Sequence, residues 1–263
     1  MTKIFFAAMI TWLVAQAGSA MADDLDIKLR GSFGFGYSDG NYGTAKDTDV
    51  LLDLTTLTAK IGNFEFAAGV PYMRISGRGL VIFDAVGNPI IINRRTSLPS
   101  DVRTGFGDLN LSGTYAIPPE VLAGFEVKFT GRIKLATASA HRRLSTGKTD
   151  YGMSVDVSHA YGRWQPFVTL GYLTSGQPAA YSLKNTLSLS MGTSYEWTDS
   201  LIAIASYDYD SASSPLVASS KDLFGSLSWL VNDKITLTGY ATNGMSTGSP
   251  KVGAGLILTY GFN

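Results

Sequence analysis

The last strand-like segment of the chain, residues 251–262, most limits what the sequence can fold into. Its apolar side chains occur at every second position: Val252, Ala254, Leu256, Leu258, Tyr260 and Phe262. Because the side chains of an extended strand alternate between two faces, one face of this segment is wholly apolar and ends in aromatic rings. Such a final strand is typical of a bacterial outer-membrane β-barrel, although here Asn263 follows the last aromatic residue.

The first residues have the features of a secretory signal. Lys3 supplies a positive charge, residues 4–15 are apolar, and Ala20-Met21-Ala22 forms a small-residue cleavage site. We therefore expect residues 1–22 to be a cleaved signal peptide and residues 23–263 to form one barrel domain. A retained N-terminal anchor helix is the alternative.

Composition excludes several other classes of protein. After the signal there is no run of about 18 apolar residues, so any membrane crossing must be made by strands closed into a barrel. Cysteine is absent, which excludes disulfides and thiolate metal sites. The chain has 21 basic and 21 acidic residues, so it lacks the basic surplus that nucleic-acid binding requires.

Short alternating segments recur along the whole chain. About twelve are found, at residues 27–37, 49–61, 64–75, 105–117, 124–136, 151–161, 164–173, 183–197, 201–210, 222–231, 234–242 and 251–262. The alternation is weakest in 49–61. The pattern predicts an all-β protein, a transmembrane antiparallel β-barrel of about twelve strands, which is within the range of bacterial outer-membrane barrels.

Two further features favour a membrane barrel over a soluble one. The connections alternate between tight turns and long loops, as they do when one rim carries turns and the other loops. Aromatic residues of the apolar face also cluster near the strand ends at two depths, as interfacial belts do. On the turn side these are Phe64, Tyr115, Tyr161, Trp164, Tyr195, Trp197, Trp229, Tyr260 and Phe262, and on the loop side Tyr37, Tyr72, Tyr151, Tyr172, Tyr207 and Tyr209. We expect the outer membrane of a Gram-negative bacterium.

The catalytic inventory is small. The only two histidines are His141, in a loop, and His159, near the far end of the following strand. Roughly ten residues of strand at about 3.3 Å each keep them near opposite rims, so they share neither a metal nor a proton relay. Parity instead places His159 in the turn-side aromatic belt. We therefore predict no enzyme activity, no cofactor and no metal, and an outer-membrane lipid hydrolase is the less favoured alternative.

The predicted inner face carries charges of both signs. The candidate pore-lining residues are Lys28, Arg30, Asp108, Glu126, Lys128, Arg132, Lys134, Asp156, Lys184 and Asp208. Charges in a barrel must be hydrated or paired, so they line a wet channel or interlock as a plug that conducts nothing. The basic row Lys128, Arg132 and Lys134 would favour anionic solutes if its face is open. Residues 80–95 add an apolar loop hairpin, which either folds over the mouth, binds an apolar ligand or packs on itself.

Several motifs follow one another between residues 69 and 172. They include Gly105-Phe106-Gly107-Asp108, Gly147-Lys148-Thr149-Asp150-Tyr151 and Gly171-Tyr172. This series resembles the bacterial outer-membrane transporter family labelled the MetA-pathway of phenol degradation. Ala136-Thr137-Ala138 stands where that family has Pro-Thr-Gly. The resemblance implies an outer-membrane channel for aromatic or other small hydrophobic compounds.

These observations predict a channel that passes small solutes passively. A non-conducting structural barrel is the first alternative. The expected partners are outer-membrane lipid and lipopolysaccharide, the outer-membrane barrel-assembly machinery and a small-molecule solute, without nucleic acid.

Overall fold

The computed structural model describes residues 27–42, 47–77, 81–83, 89–91, 101–138 and 142–262, so the predicted signal peptide, His141 and Asn263 lie outside it. The strands are β1 Ile27–Gly40, β2 Thr48–Ile61, β3 Phe64–Gly77, β4 Val81–Phe83, β5 Pro89–Ile91, β6 Asp101–Phe106, β7 Leu109–Ile117, β8 Phe125–Leu135, β9 Asp150–His159, β10 Trp164–Thr174, β11 Thr186–Thr198, β12 Leu201–Asp210, β13 Ser220–Asn232, β14 Ile235–Gly244 and β15 Val252–Gly261. Within these residues no helix is both long and apolar enough to cross a membrane.

All strands except the β4–β5 hairpin belong to one antiparallel sheet that closes on itself. Neighbours along the chain pair with each other, β1 pairs with β15, and the ring is completed between β2 and β3. Strands β6 and β7 both pair with β3, β6 with residues 72–77 and β7 with residues 64–69. They are therefore two parts of one wall strand, interrupted at Gly107 and Asp108. The barrel has twelve strand positions, as the alternation predicts.

Tight turns and long loops occupy opposite rims. At the turn rim, Gly62 and Gly162 have φ of 56° and 62°, the left-handed conformation that glycine adopts without a steric penalty. The opposite rim carries longer connections, among them residues 136–149, 175–185, 211–219 and 245–251. The first described strand begins and the last one ends at the turn rim.

The outer surface is apolar and its aromatic residues form two belts. The outward residues of mid-strand are aliphatic or aromatic and exposed, including Leu170, Leu256 and Phe129. At the turn rim, the His159 ring lies between Phe125 and Tyr161, with ring centroids 4.6 Å and 4.3 Å away. A soluble barrel would hide such a surface, whereas lipid solvates it. The fold is therefore a transmembrane β-barrel.

The weak alternation of β2 has a simple cause in the structure. Leu52 and Leu54 point into the barrel, while Leu51 and Leu57 point to lipid, so both faces contain leucine. Leu52 belongs to an apolar cluster at the loop rim, and Leu54 lines the cavity of the lumen.

The lipid-facing surface generates a stability test. We expect Leu170→Arg, at the middle of β10, to destabilise the barrel in lipid vesicles by about 2–4 kcal/mol, because a charge then faces the bilayer core. Leu122→Arg, in the turn between β7 and β8, should cost no more than about 1 kcal/mol, since it lies at the interface. Equilibrium unfolding in denaturant measures both. Equal losses would contradict the assignment of the lipid-facing surface.

Candidate functional site

The lumen is the candidate functional site, and its two halves differ in chemistry. One half is formed by inward side chains of β2, β3, β7, β8 and β9 and carries most of the charges. The register places Lys134 beside Asp150, Lys128 beside Asp156 and Lys60 beside Glu65. Because paired residues of adjacent strands point to the same face, these bases and acids meet inside the barrel.

The basic row of β8 is neutralised by acidic neighbours. Lys128 Nζ lies 2.6 Å from Glu126 Oε2, and the charges of Arg132 and Asp156 attract each other. Thr169 donates a 2.5 Å hydrogen bond to the same Asp156 carboxylate. Lys128 and Arg132 therefore each have an acidic partner, and the anion preference expected for an open basic face stays a prediction.

A buried ion network lies where the wall strand is interrupted. Lys134 Nζ is 2.8 Å from Asp150 Oδ2 and 3.2 Å from Asp108 Oδ2, and it donates a 3.0 Å hydrogen bond to Thr146. Asp108 also accepts hydrogen bonds from the Ala138 amide, at 2.9 Å, and from the Ser145 hydroxyl. The network therefore ties the β6–β7 interruption to the loop between β8 and β9.

Eight of the ten predicted pore-lining residues point into the lumen from a strand, and two do not. Those on its inward face are Lys28, Arg30, Glu126, Lys128, Arg132, Lys134, Asp156 and Asp208. Asp108 lies between strands, with its carboxylate buried in the ion network. Lys184 differs, because β11 begins only at Thr186 and Lys184 lies exposed in the preceding loop.

The opposite half of the lumen has a large apolar surface. Phe167, Ile204, Phe224, Tyr240 and Ile257, from β10, β12, β13, β14 and β15, form one contiguous cluster, which we call the apolar wall. All five point inward by register and are buried. The Phe224 and Tyr240 rings are stacked, with an interplanar angle of 23° and centroids 6.2 Å apart.

Glycine makes room for two of these rings. A Cβ atom at Gly192 would lie 2.7 Å from Phe167 Cζ, and one at Gly255 would lie 2.5 Å from Tyr240 Cζ. Each glycine is the direct cross-strand neighbour of the ring that covers it. The aromatic side chains therefore lie against the wall rather than across the lumen.

A cavity lies beside the charged half and reaches Phe167 of the apolar wall. Its volume is about 110 Å³, enough for several water molecules. Lys128, Arg132, Asp156 and Thr169 line one side, and Phe167 closes another. A molecule in this cavity would contact hydrogen-bonding groups and apolar carbon atoms at once.

At the loop rim, a second apolar cluster spans the lumen. We call it the mouth cluster, and its members are Tyr42, Val50, Leu52, Met73, Ile75, Leu144 and Val217. Four of them have no more than 1% of their surface exposed. Burial raises the pKa of the Tyr42 phenol, so this ring stays neutral.

The predicted loop hairpin is present as β4 and β5, although only residues 81–83 and 89–91 of the segment 80–95 are described. Ile82 is buried against Leu183, with Tyr181 packed beside them. Both partners belong to the loop that follows β10, four strands away from β3 around the barrel. The hairpin therefore extends over the mouth, one of the arrangements the sequence allows.

Sequence reasoning missed the apolar wall and the mouth cluster. Phe167 and Ile204 lie at alternate positions where the sequence pattern predicts polar, inward-facing residues. The outward-facing positions of the same strands are also apolar, so the alternation of polar and apolar residues is weak there. Weak alternation in these strands is the feature of the sequence that could have indicated an apolar patch inside the barrel. Within the described part of the chain, no group of three or more His, Asp or Glu residues is arranged to hold a metal ion.

Solved structures share this architecture. The COG4313 outer membrane channel from Pseudomonas putida F1 is 10% identical, with a TM-score of 0.67 over 92% of this chain and 100% of that one. The NanC porin is 12% identical, with a TM-score of 0.53 over 89% and 99% of the two chains. The KdgM porin is 10% identical, with a TM-score of 0.51 over 88% and 99%.

At these identities the likeness shows the fold alone, the barrel of outer-membrane channels and porins. No protein-family model matches the chain, and no curated protein matches it in sequence. The fold and the apolar, aromatic-belted surface together place the chain in the outer membrane of a Gram-negative bacterium.

The buried ion network generates a second stability test. We expect Lys134→Met to destabilise the barrel by about 3–5 kcal/mol, because Asp108 and Asp150 then stay buried without their cation. The variant K134M/D108N/D150N, which also removes both carboxylate charges, should recover most of that loss. Denaturant unfolding is the measurement, with Lys251→Met as the control.

Lys251 forms an exposed ion pair with Asp47, 2.7 Å apart, which solvent screens. Loss of this ion pair in Lys251→Met should leave the midpoint of denaturant unfolding unchanged. An equal effect of K134M and K251M would contradict the buried network.

Proposed function

We propose that the chain is a passive outer-membrane channel for small, uncharged solutes that combine an apolar or aromatic body with a hydrogen-bonding group. The observation that carries the proposal is the cavity that paired charges line on one side and Phe167 of the apolar wall closes on another. A solute of this kind matches both sides, since its apolar body contacts Phe167 and its polar group reaches Thr169 or Arg132. Permeation needs no catalytic residue, and we propose none.

Charge pairing argues for uncharged solutes. Lys128 and Lys134 each have a carboxylate within 3 Å, so neither presents a free charge to the lumen. An ion entering the cavity would lose hydration and gain no uncompensated counter-charge there. A neutral solute pays a much smaller desolvation cost.

The aromatic rings support the solute class that the resemblance to the phenol-degradation transporters implies. Phe224 and Tyr240 present stacked rings on the apolar wall, and aromatic pairs attract beyond the area that they bury. Membership of that particular family remains part of the proposal. We also propose that the barrel is inserted by the barrel-assembly machinery and contacts lipopolysaccharide through its outer surface.

A non-conducting structural barrel is the second candidate. It is favoured by the mouth cluster, which fills the loop end of the lumen with buried side chains, and by the ion network around Lys134. The two candidates differ in one property, because only a channel has an ion current that a solute can block.

Current block by a solute tests the proposed solute class. We expect benzyl alcohol to interrupt the single-channel current at lower concentration than glycerol, because only the former contacts the apolar wall with a ring. Phe167→Ala, which removes the ring that lines the cavity, should raise the half-blocking concentration of benzyl alcohol roughly two- to tenfold, since one aromatic contact contributes about 0.5–1.5 kcal/mol.

The matched control is Phe129→Ala, which removes a phenylalanine that faces lipid. It should leave the half-blocking concentration unchanged, which also accounts for any action of the alcohol on the bilayer itself. Equal block by both solutes, or equal effects of the two substitutions, would overturn the proposed solute class.

A further inference from the structure

The loop at residues 211–219, between β12 and β13, is fixed at both ends and folded inward. At its start, the Ser211 amide donates to the Leu187 carbonyl and the Lys184 amide donates to the Ser213 carbonyl, both at 2.9 Å. At its end, the Ser246 hydroxyl donates to the Ser219 carbonyl at 2.8 Å. These hydrogen bonds hold the loop against its two neighbouring loops.

The middle of this loop is apolar and enters the lumen. Val217 is buried in the mouth cluster, with Leu216 and Ala212 packed against it. A turn closed by the Val217 amide and the Ser214 carbonyl directs the segment inward. An apolar segment of a loop is thus buried inside the barrel rather than exposed at its rim.

The mouth cluster joins opposite sides of the barrel. Met73 and Ile75 lie on β3, and β12, from which the loop departs, is six strands from β3 in either direction around the ring. Leu144 enters the same cluster from the loop between β8 and β9. Contacts that join antipodal parts of the wall must cross the lumen, so the cluster lies on the path between the outside and the cavity.

We propose that the mouth cluster is the selectivity filter of the channel and that Val217 is its specificity-determining residue on the loop side. This inference rests on the channel function proposed above and adds where discrimination occurs. The filter slows hydrated ions and strongly hydrated solutes, so that the ion current is small, and it admits molecules with an apolar body.

The physical basis is the difference in hydration between the two classes of solute. An apolar constriction offers no hydrogen bonds to replace a hydration shell, so water and ions leave it, as in channels that close by dewetting. An apolar solute instead exchanges water contacts for carbon contacts with side chains such as Leu52 and Met73. The hydrogen-bonding half of the cavity lies below the filter and receives the polar group after the solute has passed.

Val217→Thr is the sharpest test, because threonine has nearly the shape of valine and adds only a hydroxyl group. We expect this substitution to raise the single-channel ion conductance several-fold, since the hydroxyl lets water remain in the constriction. The matched control is Val168→Thr, at an outward position of β10 that faces lipid, and it should conduct like the wild type. Leu144→Asn is a second, independent variant and should change conductance in the same direction as V217T.

Every barrel is first checked as folded by its heat-dependent gel shift. If the wild type conducts while V217T and L144N conduct no better than V168T, the filter is overturned and the channel function stands. If the folded wild type and all three variants carry no current, the channel function itself fails. A rise confined to V217T and L144N is the result that the filter predicts.

Discussion

The structure depends on one constraint, the need to satisfy every backbone N–H and C=O group where no water is available. A sheet in lipid meets that need only when it closes on itself, which the pairing of β1 with β15 and of β2 with β3 achieves. Once the sheet is closed, the odd or even position of a residue along its strand determines whether its side chain faces lipid or the lumen. One side chain faces lipid and the next faces the lumen, so twelve strands produce an apolar outside and a separately defined inside.

A break in the wall shows how strictly the constraint holds. Between β6 and β7 the ladder is interrupted at Gly107 and Asp108, and other groups replace its hydrogen bonds. The Gly107 amide donates to the Pro71 carbonyl at 2.8 Å, and Thr137 accepts from the Leu109 amide at 2.8 Å. Arg142 donates to the Thr104 carbonyl at 3.1 Å. The loop between β8 and β9 thus covers the exposed edge of β6, and the ion network around Lys134 holds that loop in place.

Parity explains which parts of the fold the sequence predicts. It places Lys128, Arg132 and Asp156 inside and His159 outside, because each position depends only on counting along a regular strand. Counting along a strand does not predict the position of Lys184, because hydrogen bonds of the preceding loop determine where β11 begins. It also leaves open the contacts between distant segments. Lys134 binds Asp108 and Asp150, which lie on two other segments, and Val217 joins the cluster that contains Met73. No local pattern in the sequence encodes either arrangement.

The same distinction separates the outside of the barrel from its candidate site. The outside needs only apolar residues at alternate positions, as in residues 251–262. The lumen instead needs particular rings against particular glycines, Phe167 on Gly192 and Tyr240 on Gly255. It also needs loops that fold inward. The location of the protein is therefore predictable from its sequence, whereas the selectivity of the passage becomes visible only when the strands are assembled.

The central claim is that a continuous, narrow passage crosses this barrel, and the current through single barrels in a planar bilayer tests it most directly. For wild-type protein shown to be folded by its heat-dependent gel shift, small and discrete current steps are the predicted result. The apolar mouth cluster, which ions cross only slowly, keeps these steps small. Complete silence from folded barrels, which persists when the mouth cluster carries a polar substitution, would contradict the claim and identify a structural barrel instead.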